Sequence, residues 1–151
     1  MKKDAVILIA EDDRGHFELV KRNLWLNYVN NEILHFKDGQ DILDFLYQTG
    51  SGPKREDRES YILLLDIRMP KVDGREVLKQ IKEDPVLRKI PVIMLTTTAE
   101  AQEINQCYEM GCSFYMVKPV NYNKFMEAVE SLGAFLSLDG VHVSPVNSST
   151  N

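Results

Sequence analysis

The chain has 151 residues, a formal net charge of −5 and 44% hydrophobic residues. That length suits one domain with some additional sequence, and the apolar content is enough for a sizeable core, which argues against a disordered chain. The acidic balance argues against a broad nucleic-acid or membrane surface, because both need basic patches. The first apolar run has about five residues, too few for a membrane span or a signal peptide. We expect a cytoplasmic protein.

Short apolar runs alternate along the chain with segments of helical periodicity. Runs that are apolar nearly throughout are typical of strands covered on both faces, and they lie at Val6–Ala10, Ile62–Leu65, Val92–Leu95 and Phe114–Val117, with Ile33–Phe36 as a weaker candidate. Apolar residues at helical spacing follow each run, as in the segment from about Glu100 to Met110 and in the one that carries Phe125 and Val129. Five strand–helix units in succession predict a parallel sheet within an open three-layer α/β sandwich.

Two segments fall outside this pattern. Thr49–Ser60 (TGSGPKREDRES) is rich in glycine, proline and charge, which predicts an exposed loop. Residues 139–151 are too few for an output domain, and we expect their end to be mobile. We therefore predict one domain over residues 1–138, with 49–60 as a loop insertion, followed by a short tail.

Polar residues directly follow four of the predicted strands, at the edge where open α/β sheets bind ligands. They are Glu11-Asp12-Asp13, Asp66, Thr96 and Lys118-Pro119. Singly, each has an ordinary explanation, since acids often cap helices and Lys-Pro often forms a turn. Together, the like charges need a compensating cation, and oxygen ligands favour Mg²⁺. Carboxylates, a hydroxyl, an ammonium and a metal ion suit phosphoryl transfer.

The segments ILIAEDD, LLLDIRMPKVDG, PVIMLTT and FYMVKP, in this order, resemble the signature of the response-regulator receiver family of two-component systems. The resemblance covers about Asp4 to Leu136 and implies a flavodoxin-like (βα)5 fold of strand order 2-1-3-4-5. The stretches DFLYQTG and DGREVLKQIKEDPVLRKIPV are similar to small single-domain regulators that partner cyanobacterial phytochromes. The family implies a phosphorylation switch or phosphorelay intermediate that catalyses only its own phosphorylation and dephosphorylation, and not a turnover enzyme.

The resemblance also implies a role for each acidic residue. Asp66 would be the phosphoacceptor, attacking a phosphohistidine to form an acyl phosphate. Asp12 would bind Mg²⁺ directly, and Glu11 would act mainly through a metal-bound water. The backbone carbonyl of Arg68 would complete the protein's metal ligands. Asp13 is a third acid outside the matched pair, and we interpret it as a helix-start residue.

The remaining matched residues contact the phosphoryl group or transmit its presence. Thr96 and Lys118 would each contact a phosphoryl oxygen, and Pro119 would aim the lysine inward through a cis peptide. Tyr115 matches the aromatic switch position, which turns inward when Thr96 moves toward the phosphoryl group. A tyrosine without a signalling role is the alternative.

The loop after the phosphoacceptor carries further matched positions. Pro70 and Gly74 would shape this loop, and we expect Gly74 to supply a backbone conformation that other residues resist. Arg68 and Thr98 stand two residues after Asp66 and Thr96, where the family places the path of the hydrolytic water. We expect the long cationic side chain of Arg68 to shield the phosphoryl group and slow its loss.

The partner implied by the family is a histidine kinase, phytochrome-like by the weaker similarity, or a histidine phosphotransfer protein. A homodimer through the face of the fourth helix, fifth strand and fifth helix, which carries Tyr115, is a further expectation. No basic helix or output domain points to nucleic acid, and no segment points to a membrane. The three histidines, His16, His35 and His142, share no metal-ligand spacing, and we expect solvated or packed imidazoles.

Three other functions are compatible with parts of the pattern. A phosphatase of the haloacid dehalogenase type also uses an aspartate nucleophile with Mg²⁺, but its second aspartate would stand where this chain has Arg68. A flavodoxin-type cofactor binder needs a hydroxyl- and glycine-rich loop after the first strand, whereas the acidic residues at 11–13 would repel a phosphate. A receiver-like module that has lost phosphorylation is disfavoured, because every matched residue is present.

Overall fold

The computed structural model describes residues 5–26, 29–96 and 100–117, with the backbone alone for Thr96 and Phe114. The strands are β1 (Val6–Ala10), β2 (Ile33–Phe36), β3 (Tyr61–Asp66), β4 (Val92–Thr96) and β5 (Phe114–Val117). The helices are α1 (Arg14–Leu26), α2 (Gly39–Tyr47), α3 (Gly74–Glu83) and α4 (Ala101–Glu109), with a single 3₁₀ turn at Leu87–Lys89. None of these helices is long and apolar enough to cross a membrane.

The strands form one parallel sheet of order β2-β1-β3-β4-β5, which confirms the predicted fold class and strand order. All five predicted strands are present, and the weaker candidate, Ile33–Phe36, forms an edge strand with the predicted bounds. β2 lies on one side of β1 in the sheet, and β3, the next strand along the chain, lies on the other side. The order of strands therefore reverses between β1 and β3, and their carboxyl ends meet at the crevice where such sheets bind ligands.

Alternate residues of the strands pack into two separate cores, one on each face of the sheet. On one face, side chains such as Leu8, Leu63 and Met94 pack together with buried residues of α2, α3 and α4. On the other face, Ile7, Ile62 and their neighbours pack against α1. The helix predicted around Phe125 and Val129 lies outside the described residues, as does the tail 139–151.

The segment Thr49–Ser60 is largely exposed, but it folds back onto the end of α2. The Arg55 side chain is the reason, because its Nε donates to the carbonyl oxygen of Leu46 at 2.6 Å. That carbonyl lies in the last turn of the helix, where it has no partner within the helix. Ser60 is buried, and its carbonyl accepts a hydrogen bond from the backbone of Val6 at 2.8 Å.

Candidate functional site

Three carboxylates meet at the carboxyl ends of β1 and β3. One oxygen from each of Glu11, Asp12 and Asp66 lies within 4.8 Å of the others. Glu11 directly follows β1, and Asp66 is the last residue of β3, so the parallel pairing of these strands brings them together. Glu11 is fully buried and Asp66 is 5% exposed, whereas Asp12 faces solvent.

Such a cluster matches the donor set of a hard divalent cation. Its ligand atoms are all carboxylate oxygens, which Mg²⁺, Mn²⁺ and Ca²⁺ prefer over soft metals. The buried carboxylates repel one another unless a positive charge compensates them. The exposed Asp12 leaves the site open on one side, so a bound ion could keep water or accept an oxygen from a second molecule.

Contacts with its neighbours hold Glu11 in place. Its backbone N–H continues the sheet ladder beyond β1 by donating to the carbonyl of Phe36 at 3.0 Å. Oε2 accepts a hydrogen bond from the backbone N–H of Asp13 at 3.2 Å. Oε1 lies 3.7 Å from Nδ1 of His16, in the first turn of α1. The Glu11 carboxylate is therefore oriented before any metal binds.

Asp13 caps the start of α1. Its Oδ1 accepts a hydrogen bond from the backbone N–H of His16 at 2.9 Å, and its carbonyl accepts one from Phe17 at 3.0 Å. This is the usual contact of an N-cap aspartate with one of the helix's unpaired donors. The interpretation of Asp13 as a helix-start residue is confirmed, and only Glu11 and Asp12 of the acidic run join the carboxylate cluster.

Gly74 is needed at the end of the loop after Asp66, but for a different reason from the one predicted. It begins α3 and lies against the backbone of β3, where an added Cβ would collide with the carbonyl oxygen of Asp66 and lie 2.7 Å from the Cα of Ile67. Its N–H donates to the carbonyl of Ile67 at 2.7 Å. The left-handed backbone in this loop belongs instead to Lys71, at φ 69°.

The same loop is fastened to the start of α2. Nζ of Lys71 lies 3.4 Å from Oδ2 of Asp38, the N-cap residue of α2. The carbonyl of Pro70 accepts a hydrogen bond from the N–H of Gly39 at 3.4 Å. Pro70 therefore contributes to the contact between the loop and α2. Arg68, two residues earlier in the chain, is exposed to solvent.

Tyr115, the predicted switch residue, lies in β5 with its side chain 9% exposed on the face of the sheet that carries α4. Its ring centroid is 6.5 Å from that of Tyr108 in α4. The pKa of Tyr108 is raised, mainly by burial of its hydroxyl and next by the nearby Cys112, while a hydrogen bond with the backbone of Tyr115 acts in the opposite direction. The two tyrosines connect α4 with β5, and the switching role of Tyr115 stays a prediction.

Four predicted residues cannot be placed with their side chains. The backbone of Thr96 ends β4 beside β3, at the same edge of the sheet as Asp66. Thr98, Lys118 and Pro119 lie outside the described residues, and their predicted roles remain predictions.

Sequence reasoning missed two histidines beside the carboxylates. Nε2 of His35 lies 2.7 Å from the carbonyl oxygen of Glu11, and the ring of His16 approaches the Glu11 carboxylate. The signal that could have found His35 is its place as the third residue of β2, since the carboxyl end of β2 must lie beside the acidic run that follows β1. His16 lies in the first turn of α1, and this helix begins three residues after Glu11.

Comparison with known proteins agrees with this geometry. The sequence model of the response regulator receiver domain family matches residues 7–130 of this chain. The chain is 33% identical to the response regulator Rcp1 of Synechocystis sp. over 130 residues, which cover 86% of this chain and 87% of Rcp1.

Solved structures of receiver domains are similar along most of the chain. A receiver domain from Rhodospirillum rubrum has a TM-score of 0.80 and 38% identity, covering 94% of this chain and 98% of its own. The Mn²⁺-bound form of Rcp1 has a TM-score of 0.77, covering 92% and 98%. The phosphorylated cyanobacterial phytochrome response regulator RcpA has a TM-score of 0.74 and 32% identity, covering 87% and 94%. The carboxylate cluster at the ends of β1 and β3 is thus the acidic pocket of a response regulator receiver domain, and the chain belongs to that family.

Proposed function

We propose that the protein is a phosphorylation switch in which Asp66 accepts a phosphoryl group from a histidine kinase. Mg²⁺ would be bound directly by Asp12, Asp66 and the backbone carbonyl of Arg68, and by Glu11 through a metal-bound water. The observation that carries this proposal is the position of the Asp66 carboxylate, at the end of β3 and within 4.8 Å of two other carboxylates. The family match supports the chemistry, since receivers are phosphoacceptors and not conventional enzymes.

In the proposed reaction a carboxylate oxygen of Asp66 attacks the phosphorus of a phosphohistidine. The new O–P bond forms as the P–N bond breaks, and its electron pair returns to the imidazole nitrogen of the kinase. A divalent cation, when bound, neutralises charge on the phosphoryl oxygens. Glu11, already oriented by its contacts with Asp13 and His16, would hold metal-bound water rather than the ion itself. Thr96 and Lys118 would bind the remaining phosphoryl oxygens.

The output step would pass through Thr96 and Tyr115. Thr96 ends β4, next to Tyr115's strand, so a shift of its side chain toward phosphorylated Asp66 would open space beside the tyrosine ring. Tyr115 would then repack against α4 and change the surface that α4 and β5 present to a partner. The contact of Tyr115 with Tyr108 supports this route, because it already couples the two elements.

The partner we propose is a histidine kinase of the phytochrome type. Support comes from RcpA, which is named a cyanobacterial phytochrome response regulator. We propose residues 1–138 as the receiver domain, in agreement with the match over 7–130. A histidine phosphotransfer protein as relay partner, and a homodimer through the face of the fourth helix, fifth strand and fifth helix, stay predictions.

Phosphorylation by a small donor tests the proposal without knowledge of the kinase. The protein is incubated with acetyl phosphate and Mg²⁺, and its intact mass is compared with that of Asp66→Asn and with a sample containing chelator. We expect one phosphoryl adduct on the parent and none in either comparison. An unmodified parent, or an equal adduct on Asp66→Asn, would refute the proposal.

A further inference from the structure

The backbone hydrogen bonds between β1 and β2 end at Glu11, and a side chain makes the next hydrogen bond to this residue. The N–H of Glu11 still bonds to β2 through the carbonyl of Phe36, as a further rung of the parallel ladder. The carbonyl of the same residue lies past the last rung. A buried peptide oxygen needs a hydrogen-bond donor, because leaving it without one costs the desolvation of a polar group. His35 supplies that donor, with Nε2 2.7 Å from the oxygen.

The imidazole of His35 is itself fixed in orientation. A carbonyl oxygen can only accept, so Nε2 of His35 must carry the hydrogen. The ring stacks on Phe17 with centroids 3.8 Å apart and planes 8° from parallel. Phe17 belongs to the core between α1 and the sheet. The histidine therefore joins the edge strand β2, the helix α1 and the acidic run by one hydrogen bond and one ring contact.

We propose that His35 is a positioning residue for the metal-binding carboxylates, an inference that rests on the proposed function. The carbonyl of Glu11 and the N–H of Asp12 belong to one planar peptide. A donor that fixes the direction of this carbonyl therefore also fixes the orientation of the peptide plane and the backbone position of Asp12. Asp12 is exposed, and its position therefore depends strongly on its backbone. His35 touches no metal and no phosphoryl group in this scheme, and it acts through the peptide between Glu11 and Asp12.

Two substitutions separate the hydrogen bond from the ring contact. His35→Phe keeps an aromatic ring to stack on Phe17 but removes the donor. His35→Gln gives up the ring but places an amide N–H near the position of Nε2. Asn31→Leu is the matched control, because Nδ2 of Asn31 donates to the buried carbonyl of Ala5 at 2.7 Å, at the opposite end of β1. That control loses a side-chain bond to the residue just before the same strand, far from the carboxylates.

The measurement is Mn²⁺ affinity, from the electron paramagnetic resonance signal of free Mn²⁺ during titration, beside the thermal midpoint of each metal-free protein. We expect His35→Phe to bind Mn²⁺ about tenfold more weakly than the parent, at the lower end of losses on removing contacts that orient metal ligands. His35→Gln should recover most of this affinity. Asn31→Leu should keep the parent's affinity even if its thermal midpoint falls.

Several outcomes would overturn the inference. One is parent-like affinity in His35→Phe, and another is an equal loss in Asn31→Leu, which would trace the effect to general stability. If His35→Phe does not fold, His35→Met takes its place as a variant without a donor. A parent that binds no Mn²⁺ and accepts no phosphoryl group would refute the proposed function itself. Normal binding by the parent with no effect of His35 would refute only this inference.

Discussion

The Cα of Gly39, at the start of α2, lies directly against the backbone of Val72 in the loop that follows Asp66. An added Cβ would collide with the carbonyl oxygen of Val72 and lie 2.7 Å from its carbonyl carbon. With the ion pair between Lys71 and Asp38, this contact fastens the loop to α2. The position of Arg68, in the same loop, therefore depends on a helix that contributes no residue to the carboxylate cluster.

Gly39→Ala should destabilise the protein even though alanine favours a helix more than glycine does. The methyl group can fit only if the Val72 backbone moves, and overpacking of this kind costs about 1–3 kcal/mol. Urea unfolding measures the change. Gly52→Ala is the control, because an added Cβ there meets nothing within 4 Å, and we expect a change within about 0.5 kcal/mol. Equal stability of Gly39→Ala and the parent would contradict the packing argument.

Replacing Lys71 should show that its backbone conformation is strained. At φ 69°, this residue occupies the left-handed region, which costs an L-residue about 1–2 kcal/mol. Lys71→Gly and Lys71→Ala both lose the ion pair with Asp38, so the difference between them reports the backbone. Glycine removes this strain but increases the conformational entropy of the unfolded chain, which offsets part of the gain. We therefore expect the glycine variant to be more stable than the alanine variant by about 0.5–1 kcal/mol. A more stable alanine variant would contradict this expectation.

Arg68→Ala should shorten the lifetime of the phosphorylated protein. We expect the exposed guanidinium to shield the phosphoryl group from water, so its removal speeds hydrolysis. The increase should be up to about fivefold, since an exposed charge contributes up to about 1 kcal/mol and 1.36 kcal/mol corresponds to tenfold. Decay of the phosphorylated protein is followed by mass. Arg75→Ala, which removes an exposed arginine of α3, should decay like the parent. Slower or unchanged decay in Arg68→Ala would refute the shielding role.

Mg²⁺ should stabilise the folded protein against heat, and Asp12→Asn should weaken that effect. An ion that binds only the folded state adds about 2.7 kcal/mol at a concentration one hundred times its Kd. Without metal, Asp12→Asn should match or exceed the parent in stability, because it removes one of three mutually repelling carboxylates. Thermal unfolding with Mg²⁺ and with chelator tests both statements. A parent whose midpoint is the same in both buffers would contradict the metal site.

The sequence predicted most of the fold because buried parallel strands are apolar nearly throughout. β1, β3 and β4 stand out as such runs, and the half-buried edge strand β2 was correctly placed on a weaker signal. The acidic pair and Asp66 were predictable as well, since parallel strands bring their carboxyl ends together.

The rest depended on contacts that composition does not report. Arg55 belongs to a charge-rich stretch typical of solvent-exposed loops, yet its side chain caps α2. The need for Gly74 comes from its close approach to β3, which no local pattern reveals. His35 is a lone histidine in a short strand, and its contact with Glu11 follows only from the register of β1 against β2.

The most direct test of whether Asp66 carries the phosphoryl group identifies the modified residue. Borohydride reduces an aspartyl phosphate to homoserine, so the protein is treated with acetyl phosphate and Mg²⁺, reduced and mapped by peptide mass spectrometry. We expect homoserine at position 66, and none when chelator is present. Homoserine at Asp12 or Asp13 instead, or an unreduced Asp66 in a protein that has gained a phosphoryl group, would contradict it.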